Sequence, residues 1–325
     1  MAGEAGAMSN EMNTVTQDTF GGPEVLRIAR TARPEPGPTE VLVRVRAAGV
    51  NPVDTKTSQG QGLAWLYGEP PYTLGWDVSG TVEAVGFGVT TLAVGDEVLG
   101  MPLFPRLAGG FAEYVAAPSR HFVRKPAGLG HPQAAGLPLA GLTAWQILVD
   151  TARVQPGQRV LVHAAAGGVG HLAVQIAKAR GAYVIGTARA DKHAFLRGLG
   201  ADEVVDYTAG PFERQVEPVD LVVDNIGDPE HQRRSLEVLG AGGLLVAVPG
   251  GADAEVVAAA EATGRRATGF LVEPDRAGLL GLTELVERGE LRVELAAVLP
   301  FAEVATAFEL VGAGRVRGKV VLDLG

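Results

Sequence analysis

The stretch from Arg159 to Arg189, RVLVHAAAGGVGHLAVQIAKARGAYVIGTAR, limits the fold more than any other part of this chain. Val160, Leu161 and Val162 form a short apolar run suited to a buried strand. The turn Ala165-Ala166-Gly167-Gly168-Val169-Gly170 follows. After it, Val169, Leu172, Ala173, Ile176 and Ala177 recur at helical spacing on one face. Gly181 suits the helix end, and Tyr183-Val184-Ile185 reads as a second strand. Strand, glycine turn, helix and strand within about thirty residues is the unit that receives a dinucleotide pyrophosphate on its helix N-terminus.

On the G-x-G-x-x-G pattern the key positions are Ala165, Gly167 and Gly170, so alanine stands for the first glycine and Gly168 is additional. A tight strand-to-helix elbow needs small residues for its own sake, but the strands on both sides favour the dinucleotide reading. An NAD site places an acid about twenty residues past the turn, on the ribose 2′-hydroxyl. Here the second strand ends Gly186-Thr187-Ala188-Arg189, with Lys192 close behind. The nearest acid, Asp191, stands where it would cap a helix from His193 to Leu199. A cationic pair favours a 2′-phosphate, and so NADPH; solvated surface charge is the other reading of Arg189 and Lys192.

A length of 325 residues suggests two domains. A net charge of −9 argues against a nucleic-acid partner. No apolar stretch reaches the length of a membrane span. Residues 1–12, MAGEAGAMSNEM, lack the basic start and apolar core of a signal peptide and read as a disordered leader. The cytoplasm is the expected compartment. The chain has no cysteine, which removes disulfides, cysteine nucleophiles and thiolate-bound zinc together.

Val15 to Arg30 alternates around Phe20-Gly21-Gly22-Pro23 as a hairpin would. Short strands broken by glycines follow, through Gly75–Gly86, Val94–Gly100 and Gly109–Val115, and suggest a partly open barrel. Gly62 to Pro71 reads as a loop whose Trp65 and Tyr67 would cover a substrate. The character changes near Pro126, and helical pattern runs from Pro132 to Gln146. Strand and helix then alternate through Val160–Val162, Tyr183–Thr187, Glu203–Asp206, Asp220–Asp224 and Leu244–Val248, as in a doubly wound parallel sheet. Thr268–Val272 reads as its last strand. A tail with helices near Glu284 and at Glu303–Val311 ends in the strand Lys319–Leu324. The expected division is a catalytic unit of residues 13–127 and 266–325 around a dinucleotide unit of residues 128–265.

These pieces together resemble the medium-chain dehydrogenase/reductase superfamily, and most its zinc-independent, NADPH-using quinone oxidoreductase branch. The resemblance rests on Gly49-Val50-Asn51-Pro52-Val53-Asp54, the Gly75–Gly86 run, Val94-Gly95-Asp96, Gly141-Leu142-Thr143-Ala144, His163 to Gly170 and Arg317-Gly318-Lys319. It implies an α/β protein: a GroES-like, partly open β-barrel catalytic domain plus a Rossmann domain, with the active site between them. It also implies NADPH as cofactor and a homodimer or homotetramer. Carried over by position, Ala166, Gly167, Gly168 and Val169 would hold the pyrophosphate. Thr187, Arg189, Lys192 and Tyr207 would lie at the adenosine end and its 2′-phosphate. Ile226, Val248, Phe270, Val272 and Gly318 would line the nicotinamide half, Thr143 would lie near the nicotinamide, and Lys319 would be a further cofactor contact.

Without cysteine, and with six histidines that show no paired-ligand spacing, no catalytic zinc is expected. His163 reads as a satisfied core residue at a strand end. Lacking a Lewis acid, such a site suits reduction of an electron-poor acceptor, a quinone or an enone, better than alcohol oxidation. The acceptor oxygen then needs hydrogen-bond donors for its developing charge. Asn51 and Lys56 are the candidates, Asn51 through its amide and Lys56 where many relatives carry tyrosine. An Asx-turn role for Asn51 and a solvated Lys56 are the plain alternatives, and Asp54 is expected to orient the turn by hydrogen bonding. A non-catalytic NADPH-binding sensor or structural protein is the competing function, and a methyltransferase using the same turn is a third. A short-chain dehydrogenase fails, because none of the five tyrosines has lysine four positions on.

Overall fold

The structure, a computed structural model, describes residues 10–325. Strands β1 (Glu11–Thr16) and β2 (Arg27–Ala32) pair antiparallel from Glu11↔Ala32 to Thr16↔Arg27. The expected leader therefore ends sooner: Glu11 and Met12 belong to β1, where Met12, Thr14 and Val15 are buried. Residues 1–9 of that leader lie outside the described residues.

The catalytic sheet is built from β3 (Glu40–Val50), β4 (Asp77–Val85), β5 (Glu97–Gly100), β6 (Tyr114–Pro118) and β7 (Phe122–Arg124). On β3 the alternation of Val41, Val43 and Val45 puts all three in the core, at 0, 0 and 3% exposure. Helix α1 (Pro52–Ser58) follows β3, and a single-turn helix α2 (Ala64–Tyr67) occupies part of the expected loop. Two helices, α3 (His131–Ala135) and α4 (Pro138–Trp145), carry the chain into the second sheet.

That sheet holds β8 (Arg159–Val162), β9 (Tyr183–Thr187), β10 (Glu203–Val205), β11 (Val219–Asp224), β12 (Leu239–Ala247) and β13 (Arg266–Gly269), in the order β10-β9-β8-β11-β12-β13. Every neighbouring pair is parallel. Helix α5 (Gly170–Ala179) joins β8 to β9. The chain runs outward from β8 to one edge and returns to β11, so the crevice of a doubly wound sheet opens where β8 and β11 end. Two expectations shift here. The last strand is Arg266–Gly269, because Phe270 to Val272 leave the sheet, and the domain boundary at 265/266 cuts off a strand that pairs with β12.

The chain then returns to the first sheet through β14 (Leu295–Pro300), absent from the sequence reading, and β15 (Lys319–Asp323). The path β14-β15-β3-β4-β5-β7, with β6 on β3, does not close, because β14 and β7 stay unpaired edges among the described residues. One face of the parallel sheet, through Val160, Val162 and Val223, shares a continuous core with the catalytic sheet. The opposite face, through Leu161, Val222 and Leu245, has a separate core.

Candidate functional site

A cleft of about 390 Å³ lies between the two sheets. One wall is the glycine turn after β8. A Cβ on Gly170 would sit 2.4 Å from the Ala164 carbonyl and 2.7 Å from Ala165 Cα, so close helix–strand packing demands glycine there. Gly167 and Gly168 line the cleft, and a Cβ on either would be tight, 3.2 Å from the Ala164 carbonyl and 3.3 Å from Lys319 Cδ. The N–H groups of Gly168 and Val169 have no backbone partner among the described residues. They are the spare donors that open a helix and suit an anion.

The opposite wall begins where β3 turns into α1. Pro52 takes the first helical position, where its missing N–H costs nothing. Asp54, at the third, accepts from Asn51 N at 2.8 Å and from Gly75 N at 3.2 Å. Asn51 Nδ2 donates to Asp77 Oδ2 at 2.9 Å, and Asp77 Oδ1 accepts from Leu139 N at 2.6 Å. Lys319, the first residue of β15, reaches in from the far end of the chain. Its ammonium donates to Asn51 Oδ1 and pairs with Asp77 Oδ2 at 3.1 Å. None of these four side chains is more than 3% exposed. Burial, then the Asp77 carboxylate, raise the Asp54 pKa from 3.8 to about 8, against the lowering pull of the Asn51 N–H and of Lys319.

Between the walls the lining is apolar: Val50, Val53, Leu63, Phe104, Leu139, Val311 and Val316. Lys56 also lines it and is solvent-exposed. Thr143 borders it, with its hydroxyl donating to the Leu139 carbonyl at 2.7 Å. Val248, Phe270, Val272 and Gly318 complete the expected set that the fold brings together.

Other expected residues stand elsewhere. Ala166 is buried off the cleft, and its carbonyl accepts from Gly318 N at 2.9 Å. The Thr187 hydroxyl is buried against His163 Nδ1 at 3.1 Å. His163 also meets the Ser235 hydroxyl at 3.1 Å, as a satisfied core residue should, and burial holds its pKa well below the usual histidine value. Ile226 is exposed outside the lining. Arg189 Nε donates to Tyr207 Oη at 3.2 Å on the surface beyond β9, and Lys192 Nζ donates to the Arg315 carbonyl at 3.0 Å. The Trp65–Tyr67 cover does not form. Trp65 is 79% exposed outside the lining, whereas Tyr67 packs on Tyr72 and Trp76 and donates to the Pro105 carbonyl.

Asp77 had no role in the sequence reading, although a carboxylate between Trp76 and Val78 in a buried strand was a signal. His171 was also missed. Its Nδ1 faces the Gly167 carbonyl at 2.9 Å and its Nε2 accepts from Glu294 N at 3.3 Å, tying the glycine turn to the catalytic sheet. Burial depresses its pKa to about 4, so the ring is neutral. No group of three His, Cys, Asp or Glu among the described residues could hold a metal ion.

A doubly wound sheet with an anion-ready glycine turn, facing buried polar donors on a second sheet across an apolar cleft, defines a dinucleotide-dependent oxidoreductase. Two family models match the chain: "Alcohol dehydrogenase GroES-like domain" over residues 37–127 and "Zinc-binding dehydrogenase" over residues 199–322. The mitochondrial NAD(P)H oxidoreductase RTN4IP1 of Danio rerio is 33% identical over 94% of this chain and 90% of its own. The chloroplastic NADPH-dependent alkenal/one oxidoreductase of Arabidopsis thaliana is 35% identical over 97% and 80%. The quinone oxidoreductase of Coxiella burnetii superposes with a TM-score of 0.92 at 39% identity, over 97% of this chain and 100% of that one. The Escherichia coli quinone oxidoreductase, solved with NADPH, gives 0.85 at 28% identity, over 96% and 100%. The chain belongs to the medium-chain dehydrogenase/reductase superfamily, in its zinc-independent quinone oxidoreductase-like branch. It is an oxidoreductase.

Proposed function

We propose that this chain is an NADPH-dependent reductase of quinones or α,β-unsaturated carbonyls that works without catalytic zinc. One observation carries the reading: turn N–H groups with no backbone partner among the described residues border the same apolar cleft as the Asn51 amide. Gly167, Gly168 and Val169 would hold the pyrophosphate; Arg189 and Tyr207, already bonded to each other, would meet the 2′-phosphate. Val248, Phe270 and Val272 would pack the nicotinamide end. When bound, the reduced dinucleotide supplies hydride to the quinone ring or to the β-carbon of the enone. Asn51, with Lys56 at the cleft border, donates to the acceptor oxygen as negative charge develops there. The apolar walls exclude water and favour a compact, uncharged acceptor. The cytoplasm, and a homodimer or homotetramer, belong to the same proposal on the family resemblance.

The test is NADPH oxidation on adding 1,4-benzoquinone or a small enone, before and after metal chelation. Turnover untouched by the chelator is expected. Tight NADPH binding without turnover across an acceptor panel would favour a sensor, and metal-dependent turnover would overturn the zinc-free mechanism.

A further inference from the structure

Asn51 can donate to an acceptor oxygen only if its amide faces the right way, and an amide can be turned end for end at little cost in shape. The buried surroundings remove that freedom. An ammonium group has three donors and no lone pair, and an ionised carboxylate only accepts. Lys319 must therefore face Asn51 Oδ1, and Asp77 must face Nδ2, as both do. Reversing the amide would set N–H against ammonium and oxygen against carboxylate in a site at most 3% exposed. One Nδ2 hydrogen is taken by Asp77, and the second has no partner among the described residues.

Lys319 is equally constrained at its other end. Its Cδ lies 3.3 Å from where a Cβ on Gly168 would stand, so its stem runs over the glycine turn. Its backbone N–H bonds the Glu294 carbonyl at 2.9 Å. Gly318 before it has φ +80, and a Cβ there would sit 2.2 Å from the same carbonyl. Both ammonium contacts go to Asn51 and Asp77. Lys319 thus has a use that the cofactor-contact reading omitted.

We infer that Lys319 and Asp77 are positioning residues: together they lock the Asn51 amide so that its free N–H is offered to the acceptor oxygen. This rests on the reductase reading above, in which Asn51 is the donor.

Lys319→Met/Asp77→Asn tests it, since the pair leaves together and no lone charge stays buried. NADPH affinity, read by fluorescence titration, is expected to stay within a few-fold of wild type while kcat falls about 10²-fold, the scale of losing one such donor. In an Asn51→Ala background the same pair of changes should cost nearly nothing further, because the group they orient is gone. Additive losses there, or NADPH affinity falling in step with turnover, would overturn the inference and return Lys319 to the cofactor. Asp77→Asn alone covers the case in which the double variant does not fold. It leaves the ammonium available to phosphate, so kept affinity with lost turnover supports positioning, and kept turnover refutes it. A wild-type protein that binds no NADPH or reduces no acceptor defeats the reductase reading instead, a result separate from any of these.

Discussion

A carboxyl group cut off from water keeps its proton unless its neighbours replace the lost hydration. Asp54 accepts two backbone N–H groups and feels Lys319, yet burial and Asp77 still raise its pKa from 3.8 to about 8. Between those values the folded chain holds a proton that the unfolded chain has released. The contribution of Asp54 to stability therefore falls as pH rises through that window. Asp54→Asn removes the titration, so thermal melts from pH 4 to 9 should show wild type losing stability relative to the variant. The absolute stabilities can differ, because asparagine gives up one of the two acceptors. Parallel curves would mean that Asp54 is ionised throughout. At this scale the sequence showed Asn51 and Asp54 because they share one turn. It hid Lys319's role, because its partner Asp77 lies 242 residues away and only the fold sets them side by side.

The β8–α5–β9 unit was legible almost residue by residue, since its strand and helix periods are local and its glycines have steric causes. The alanine at the first glycine position has one as well. A Cβ on Gly186, in the neighbouring strand β9, would lie 2.9 Å from Ala165 Cβ, nearer than real Cβ atoms approach. The methyl that this turn gained fits because β9 carries no side chain opposite. Gly186→Ala should overpack the contact and destabilise by about 1–3 kcal/mol. Adding Ala165→Gly should restore most of the loss, since the two changes exchange one methyl across one gap. Chemical unfolding of the two single variants and the double measures the coupling, and additive effects would show that the contact does not limit the turn. Elements without a local signature were harder to read. β14 alternates half-buried and exposed along LAAVLP, apolar on both faces, so no period marks it. β13 ends at Gly269 because the following Phe270–Val272 segment turns to line the cleft.

Across the whole molecule the two sheets share one core, and the proposed cofactor site draws its walls from both. A ligand spanning that cleft holds the two units together, so its binding should stabilise the molecule as a whole. At a hundredfold excess over its Kd, NADPH should add about 2.7 kcal/mol, read as a rise in Tm. NADH at the same concentration should add less, because Arg189 and Tyr207 then meet a hydroxyl in place of a phosphate. Arg189→Ala separates this cause from any general preference. Its NADPH affinity should fall about tenfold, the scale of one charge-assisted hydrogen bond, with NADH almost unchanged. The two melting shifts would then converge. Equal losses for both dinucleotides would remove the 2′-phosphate from this surface, and a shift from adenosylmethionine with none from NADPH would assign the glycine turn to methyl transfer. The adenosine end was readable as charge at Arg189 and Lys192, but Lys192 turns to the Arg315 carbonyl from the other unit, a contact that exists only once both sheets are in place.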